Sequence, residues 1–235
     1  MVAILYEDNH IIVVEKPVNM LSQEDDTGDL DLLTYLKEDI KMRYHKPGNV
    51  YLGLVHRLDR PVGGAMVFAK TSKAASRLSE SIRNRSFAKT YLAILHGQPK
   101  LPAGRLVHHL LKDPNSNTVH VVSPKQEHAK EAILDYEVIN PSQEGFSLVR
   151  IQLLTGRSHQ IRVQFSSIGC PLYGDQRYGI NAQVKRGYAP KEQIALWSHE
   201  LTFQHPTLNQ QVTFRSIPPR TKPWSLWDIA IQAEI

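Results

Sequence analysis

The stretch Leu54-Val55-His56-Arg57-Leu58-Asp59-Arg60-Pro61-Val62-Gly63-Gly64 constrains this chain more than any other. One apolar run, Tyr51 to Val55, leads into it, and a second, Ala65 to Ala69, leaves it. Four ionisable side chains followed by Pro and two Gly cannot continue a buried strand. The pattern therefore predicts strand, charged turn, strand. Asp59 is the one carboxylate on the turn, flanked by Arg57 and Arg60, whose guanidinium groups favour its ionised form. An ionised carboxylate fixed between two buried strands can serve as a nucleophile or an electrostatic anchor. It can equally be half of an Arg–Asp pair that pins the turn, which is the commoner outcome for such spacing.

The rest of the chain predicts many strands and few helices. Ile4 to Tyr6 and Ile11 to Lys16 are strands, the second ended by Pro17. Asp31 to Arg43 carries Leu32, Leu36 and Ile40 at i, i+4 and i+8, the mark of a helix capped by Asp29 or Asp31. Thr71-Ser72 caps a second helix, Lys73 to Asn84, whose exposed face is basic. Phe87 to Leu95 is a strand. Arg105 to Leu111, Thr118 to Val122 and Ala129 to Ile139 form a meander, and Phe146 to Leu154 follows. Thr155-Gly156 turns the chain, and Ser158 is the expected cap of a helix from His159 to about Ser167. The segment from Gly169 to Tyr188 reads as loop. Leu196 to Phe203 and Val212 to Arg215 form a hairpin, and a closing helix begins at Trp224. No βαβ alternation is present, so the fold class is α+β, with a mixed, mostly antiparallel sheet and flanking helices. Residues 1–235 form one domain, or two subdomains sharing one sheet, since no linker composition separates them.

Composition excludes several classes. Of 235 residues, 41% are hydrophobic and 22% charged, values ordinary for a globular protein. No apolar run approaches the roughly 20 residues of a membrane helix, and the first residues lack a signal-peptide pattern. Cys170 stands alone in an apolar setting and forms no internal disulfide, which fits a packing role in a reducing, cytoplasmic compartment. The net charge of +5 mildly favours a polyanionic partner. Basic residues crowd into 77–89 and 150–162. With no long apolar stripe left over, a monomer is expected.

Two further stretches carry chemistry. Leu153 to Arg162 is a strand feeding a helix start through Gly156-Arg157. Helix N-termini favour phosphate or carboxylate, and Arg157 and Arg162 add full charge, although a plain capped helix with solvated arginines has the same pattern. Tyr91, in Lys89-Thr90-Tyr91-Leu92-Ala93, is either a core tyrosine or a platform on which a base stacks. Other sites fail. His108-His109, His120 and His128 lack metal-ligand spacing, and Gly63-Gly64 lacks the Lys-Ser/Thr of a phosphate-binding loop.

These three stretches, in this order and separation, resemble the RluA-type family of RNA pseudouridine synthases. The family signature is similar to His56-Arg57-Leu58-Asp59 with the Val62-Gly63-Gly64 that follows. Its Lys-x-Tyr-x-Ala strand is similar to Lys89, Tyr91 and Ala93, and its Gly-Arg-Ser-His-Gln-Ile-Arg segment to Gly156 to Arg162. Asp8 to Pro17, Gly174 to Gly179 and Phe203 to Pro206 resemble further motifs, so the resemblance covers about residues 4–219. It implies the pseudouridine synthase fold with a central cleft. It also implies uridine isomerisation in ribosomal or transfer RNA, without cofactor, metal, membrane or obligate protein partner. By the resemblance Asp59 is the catalytic aspartate, Tyr91 lies under the target base, Arg157 pairs with the aspartate, and Arg57 fills the gap left by the extracted nucleotide. His56, Arg60, Gln160, Ile161 and Arg162 are the remaining expected RNA or substrate contacts. The sequence departs from the family at Val62-Gly63 (usually Thr-Ser), Asn19 (usually Gly) and Leu196-Trp197-Ser198 (usually Leu-His-Ala). By the resemblance the sequence is expected to start directly in the catalytic fold, without the S4 RNA-binding domain of many relatives. A non-catalytic RNA-binding protein on the same fold and a nucleosidase acting on free nucleosides are the competing readings.

Overall fold

The computed structural model describes residues 2–180 and 192–227, with the side chains of 141–143 left aside. In chain order the elements are β1 (Ala3–Glu7), β2 (Ile11–Lys16), α1 (Leu32–Arg43), β3 (Gly53–Leu54), β4 (Gly63–Ala69), α2 (Ser72–Arg83), β5 (Ala88–His96), β6 (Ala103–Asp113), β7 (Thr118–Val122), β8 (Lys130–Gln143), β9 (Phe146–Leu153), α3 (Gln160–Ser167), β10 (Leu196–Gln204) and β11 (Gln211–Arg215). A 3₁₀ turn, Trp224–Trp227, follows; the rest of the expected closing helix, and part of the expected 169–188 loop, lie outside the described residues. The chain divides into two compact units, Met1–Ala88 with Ser198–Ile217, and Lys89–Trp197 with Pro218–Ile235.

In the first unit the strand order is β1-β2-β4-β10, with β3 on β4 and β11 on β10. All seven residues of β4 are buried, so the apolar run read from sequence is a strand covered on both faces. Ile11, Val13, Val67, Ala74, Leu78, Leu201 and Phe203 make one core, in which Phe87 stacks on Phe203 at 4.7 Å. Helix α1 buries Leu32, Leu36 and Ile40, as its periodicity predicts, and Asp31 caps it by accepting a hydrogen bond from the Thr34 N–H. Thr71 caps α2 in the same way, at Ala74.

The second unit is built on β5-β9-β8-β6-β7, every ladder antiparallel. Helix α3 packs on β6 and β7, with Val163 joining Leu110, Val119 and Ala132 in a small core. Gln164 is fully buried beside them, and its amide donates to the carbonyls of Leu106 and Ala132. The fold is thus α+β and mostly antiparallel; one parallel bridge joins Leu21 to Asp31.

Two local expectations change. The strand expected over 51–55 shrinks to Gly53–Leu54, because the His56 ring takes over the next position: its Nε2 accepts a hydrogen bond from the Val67 N–H at 3.1 Å. Ser158 does not cap α3. The N-cap is His159, in the left-handed conformation at φ 51° with no side-chain cap. The Arg157 N–H upstream is instead satisfied by the Gln160 side chain.

Candidate active site

The expected site residues fall into two groups, one in each unit. In the first unit, Asp59 sits partly buried on the turn between β3 and β4. Its carbonyl accepts a hydrogen bond from the Val62 N–H at 2.9 Å, which closes the turn. Leu58, buried, is clamped by Ser22: the Ser22 hydroxyl donates to the Leu58 carbonyl at 2.8 Å and accepts from its N–H at 3.2 Å. One side chain thus replaces a strand neighbour and fixes the backbone immediately before Asp59.

Lys16 does the same from below. It is fully buried at the end of β2, and its Nζ donates to the carbonyls of Pro17 (2.9 Å), Met20 (2.6 Å) and Arg60 (3.0 Å). An ammonium has three N–H donors, so all three are used. Burial pushes the Lys16 ammonium down to about 7, against the pull of the Asp59 carboxylate and with the push of Arg60. A buried cation near Asp59 is therefore lysine, supplied by another strand. Arg60 turns away to Asp29, with an Nη1–Oδ2 distance of 2.7 Å, and donates from Nε to the Asn19 carbonyl. Asn19 holds φ at 64°, a conformation Asn tolerates better than most residues, so the turn survives the loss of the family's glycine.

Gly64 pairs with Lys16 across the β2–β4 ladder at φ 115°. A Cβ there would lie 2.3–2.8 Å from the Ser198 backbone, so no other residue fits. Val62, where the family has Thr, is 1% exposed and packs inward. His56 is held by β4 and tilts against Phe87 at 5.8 Å; because Nε2 accepts, the ring hydrogen is assigned to Nδ1. Arg57 is exposed.

In the second unit, Tyr91 on β5 is 5% exposed. The turn after β9 presents Arg157 on a lattice of buried polar groups. Thr155 Oγ1 donates to Gln160 Oε1 at 2.8 Å, and the Arg157 N–H donates to the same oxygen at 3.0 Å. Gln160 Nε2 donates to the Ile133 carbonyl at 3.1 Å. The exposed Arg157 side chain is steadied by an Nε hydrogen bond to the Glu131 carbonyl at 2.9 Å.

Gln160, Ile161 and Arg162, expected at the RNA, are all buried in this unit. The Arg162 fork meets Asp175 through two contacts of 2.8 Å. Asp175 also accepts the N–H groups of Arg177 and Tyr178, and the Tyr178 hydroxyl links the Val119 N–H to His159 Nδ1. These three residues brace the turn and helix start that carry Arg157.

Sequence reasoning did not single out Lys16, Ser22 or Asp175. Lys16 left a signal: a lysine closing an otherwise apolar strand directly before Pro17. Asp175 lies in a stretch already matched to a family motif, but nothing in its spacing points to Arg162. Among the described residues no His, Cys, Asp and Glu side chains cluster as a metal site, and no helix is long and apolar enough to cross a membrane.

The sequence profile of the family described as RNA pseudouridylate synthase matches residues 10–167. The chain belongs to this family, in its RluA-type branch. It is 33% identical over 221 residues to an "uncharacterized RNA pseudouridine synthase" of Mycoplasma genitalium, covering 91% of this chain and 65% of that one. It is 32% identical over 223 residues to "Ribosomal large subunit pseudouridine synthase D" of Zymomonas mobilis, covering 92% and 69%. The chain thus spans 65% of the length of the Mycoplasma relative. Among solved structures, "Human RNA Pseudouridylate Synthase Domain Containing 4" superposes with a TM-score of 0.76 over 98% of this chain and 92% of that one, at 24% identity, which establishes the shared fold.

Proposed function

We propose that this protein converts specific uridines in structured RNA to pseudouridine, with Asp59 as the catalytic carboxylate. The observation that carries the reading is the brace around Asp59: Ser22, Lys16 and Gly64 fix the turn by backbone hydrogen bonds and steric fit, and leave the carboxylate partly open. Such preorganisation is worth building only where a side chain must meet a reacting atom.

The reaction is an isomerisation. The uridine N1–C1′ bond breaks, the base turns over within the site, and C5 joins C1′ with loss of the C5 proton and gain of a proton at N1. No electrons are exchanged, so no redox cofactor is called for. Breaking the glycosidic bond develops positive charge at the sugar, which a carboxylate captures or stabilises. Asp59 acts either by attack at C1′ or by removing a sugar proton. The base must first leave its stack, at a cost of a few kcal/mol. Stacking on Tyr91 offsets roughly 1–3 kcal/mol of that. Arg157 supplies the cationic side chain, Arg57 takes the space of the extruded nucleotide, and the basic face of α2 follows RNA phosphates. His56, Arg60, Gln160, Ile161 and Arg162 contribute by shaping the two turns.

Relatives carrying the name ribosomal large subunit pseudouridine synthase make large-subunit ribosomal RNA the first substrate to test. The protein, acting as a cytoplasmic monomer, is incubated with an unmodified transcript of that RNA, and pseudouridine is mapped chemically. Asp59→Asn is expected to abolish product while RNA binding stays within about twofold, since the change is isosteric. Turnover by Asp59→Asn near the wild-type rate would refute the assignment. RNA binding without product from the wild-type chain would favour a non-catalytic binding protein.

A further inference from the structure

An open-sided cleft of about 360 Å³ lies within the first unit, between helix α2 and the turn joining β10 to β11. That volume suits a small ligand. Arg77, Glu80 and Asn84 line one wall, and Gln204, Leu208 and Asn209 the other. The turn is stiffened from beneath by the buried His205. Its Nε2 donates to Asp8 at 3.0 Å, and its Nδ1 accepts the N–H groups of Thr207 (3.3 Å) and Leu208 (3.0 Å). The two walls are tied together where Arg77 Nη1 donates to the Pro206 carbonyl.

The polar groups left unspent define the ligand. The bond to Pro206 uses one side of the Arg77 guanidinium; the Nε–Nη2 edge, which makes forked contacts, has no partner among the described residues. Glu80 is the one acidic residue of α2, on a helix that also carries Lys73, Arg77 and Arg83, and it makes no ion pair among the described residues. On a face that only followed phosphates, a lone carboxylate would weaken binding. Asn84 and Asn209 spend their amide oxygens, on Ser86 and on Gln204, so their NH2 groups remain as donors. Leu208, 46% exposed, offers an apolar surface to a planar ring.

A carboxylate beside a forked donor matches one nucleobase. Guanine carries two adjacent donors, N1–H and N2–H, and two acceptors, O6 and N7. Adenine, cytosine and uracil lack the paired donors. We propose that the cleft binds an unpaired guanine of the RNA substrate, with Glu80 accepting from N1–H and N2–H and Arg77 donating to O6 and N7. The proposal rests on the reading of the chain as an RNA enzyme. From Ser198, whose backbone abuts Gly64, to Gln204 is about 20 Å along β10, at about 3.3 Å per residue. The guanine is therefore a contact apart from the reacting uridine, and it selects which RNA fold is presented to Asp59.

The test is Glu80→Gln, an isosteric change at an exposed position. A large-subunit ribosomal RNA transcript carrying sparse inosine in place of guanosine, which lacks only the N2 amino group, is retained on filters by each protein, and the retained RNA is mapped for inosine. With the wild type, inosine should be depleted about tenfold at one or a few guanosine positions, the loss of a hydrogen bond to a charged acceptor. With Glu80→Gln, RNA affinity should fall about tenfold and that depletion should vanish. Asn209→Ala, on the opposite wall, should weaken the depletion at the same positions, which a perturbed helix would not do. Removing a negative charge from a surface that merely tracks phosphates raises RNA affinity, so a rise in Glu80→Gln overturns the proposal. So does an inosine map without depleted positions, or one that Glu80→Gln leaves unchanged. GMP at millimolar concentration that raises the wild-type melting temperature, with no inosine-sensitive position in the RNA, overturns the RNA base in favour of a free guanine nucleotide. If the wild type binds the transcript but forms no pseudouridine, the proposed function fails by itself. If it forms pseudouridine without an inosine-sensitive guanosine, only the cleft fails, and a wild type that binds no RNA fails both.

Discussion

Replacing Asp175 with Asn measures what the buried ion pair of the second unit contributes. Arg162 and Asp175 meet through two N–H···O contacts of 2.8 Å, with side-chain exposures of 6% and 0%. Asn keeps the shape and one acceptor oxygen, but removes the charge and leaves the guanidinium buried without its counter-ion. Breaking a pair of this kind from one side costs about 3–5 kcal/mol. For a chain of this length that lowers the melting temperature by about 6–20 °C. The assay is thermal unfolding by circular dichroism at neutral pH, with Arg162→Met and the double variant completing a cycle. The double variant should recover much of the loss, because neither charge is then left alone. pH supplies an independent arm. Burial alone would raise the Asp175 carboxyl, but Arg162 and the backbone N–H groups of Arg177 and Tyr178 outweigh it and hold it below the ordinary carboxylate value. A carboxylate depressed in the native state contributes its stability in full above the unfolded value, near pH 4, and loses it as pH falls through the native value. The gap between wild type and Asp175→Asn should therefore be flat through neutral pH and close only below about pH 4. A cost under about 1 kcal/mol would mean the pair behaves like an exposed one and would refute the reasoning. So would a reduced RNA salt slope in Arg162→Met with no loss of stability, since that would place Arg162 on the RNA.

Lys16→Met removes the donor shared by three carbonyls while keeping the apolar stem. At least 1–3 kcal/mol should be lost if even one carbonyl stays dry, by denaturant unfolding, and kcat should fall more than KM changes because the Asp59 turn loosens. Gly64→Ala forces a methyl group into the Ser198 backbone at a φ of 115°, so it should lower stability by several kcal/mol or prevent soluble expression; a melting temperature within about 2 °C of wild type would show that the β4 entry can move.

Much of this molecule was legible in the sequence because short-range patterns report short-range physics. The period-3.6 spacing of Leu32, Leu36 and Ile40 placed α1, and Thr71 marked the start of α2. The apolar runs around His56 to Gly64 predicted the two strands and the turn that carries Asp59, and ordered motifs named the family. Side chains that stand in for backbone were not legible. His56 shortens β3 by accepting the Val67 N–H, Gln160 replaces Ser158 as the acceptor near the start of α3, and Ser22 reaches across 36 positions to hold Leu58. The partners of the charges were hidden for the same reason. Flanking arginines around Asp59 read as its counter-ions, yet Arg60 turns to Asp29 while the buried Lys16 comes from a strand more than forty residues earlier. Arg162 read as an RNA contact by its motif, and the fold encloses it with Asp175. Sequence alone determined which residue types lie on which local element, and with them the family and its chemistry. Only the tertiary structure decided which charges are spent inside the protein, as Lys16 and Arg162 are, because desolvation and pairing depend on what the folded chain brings alongside.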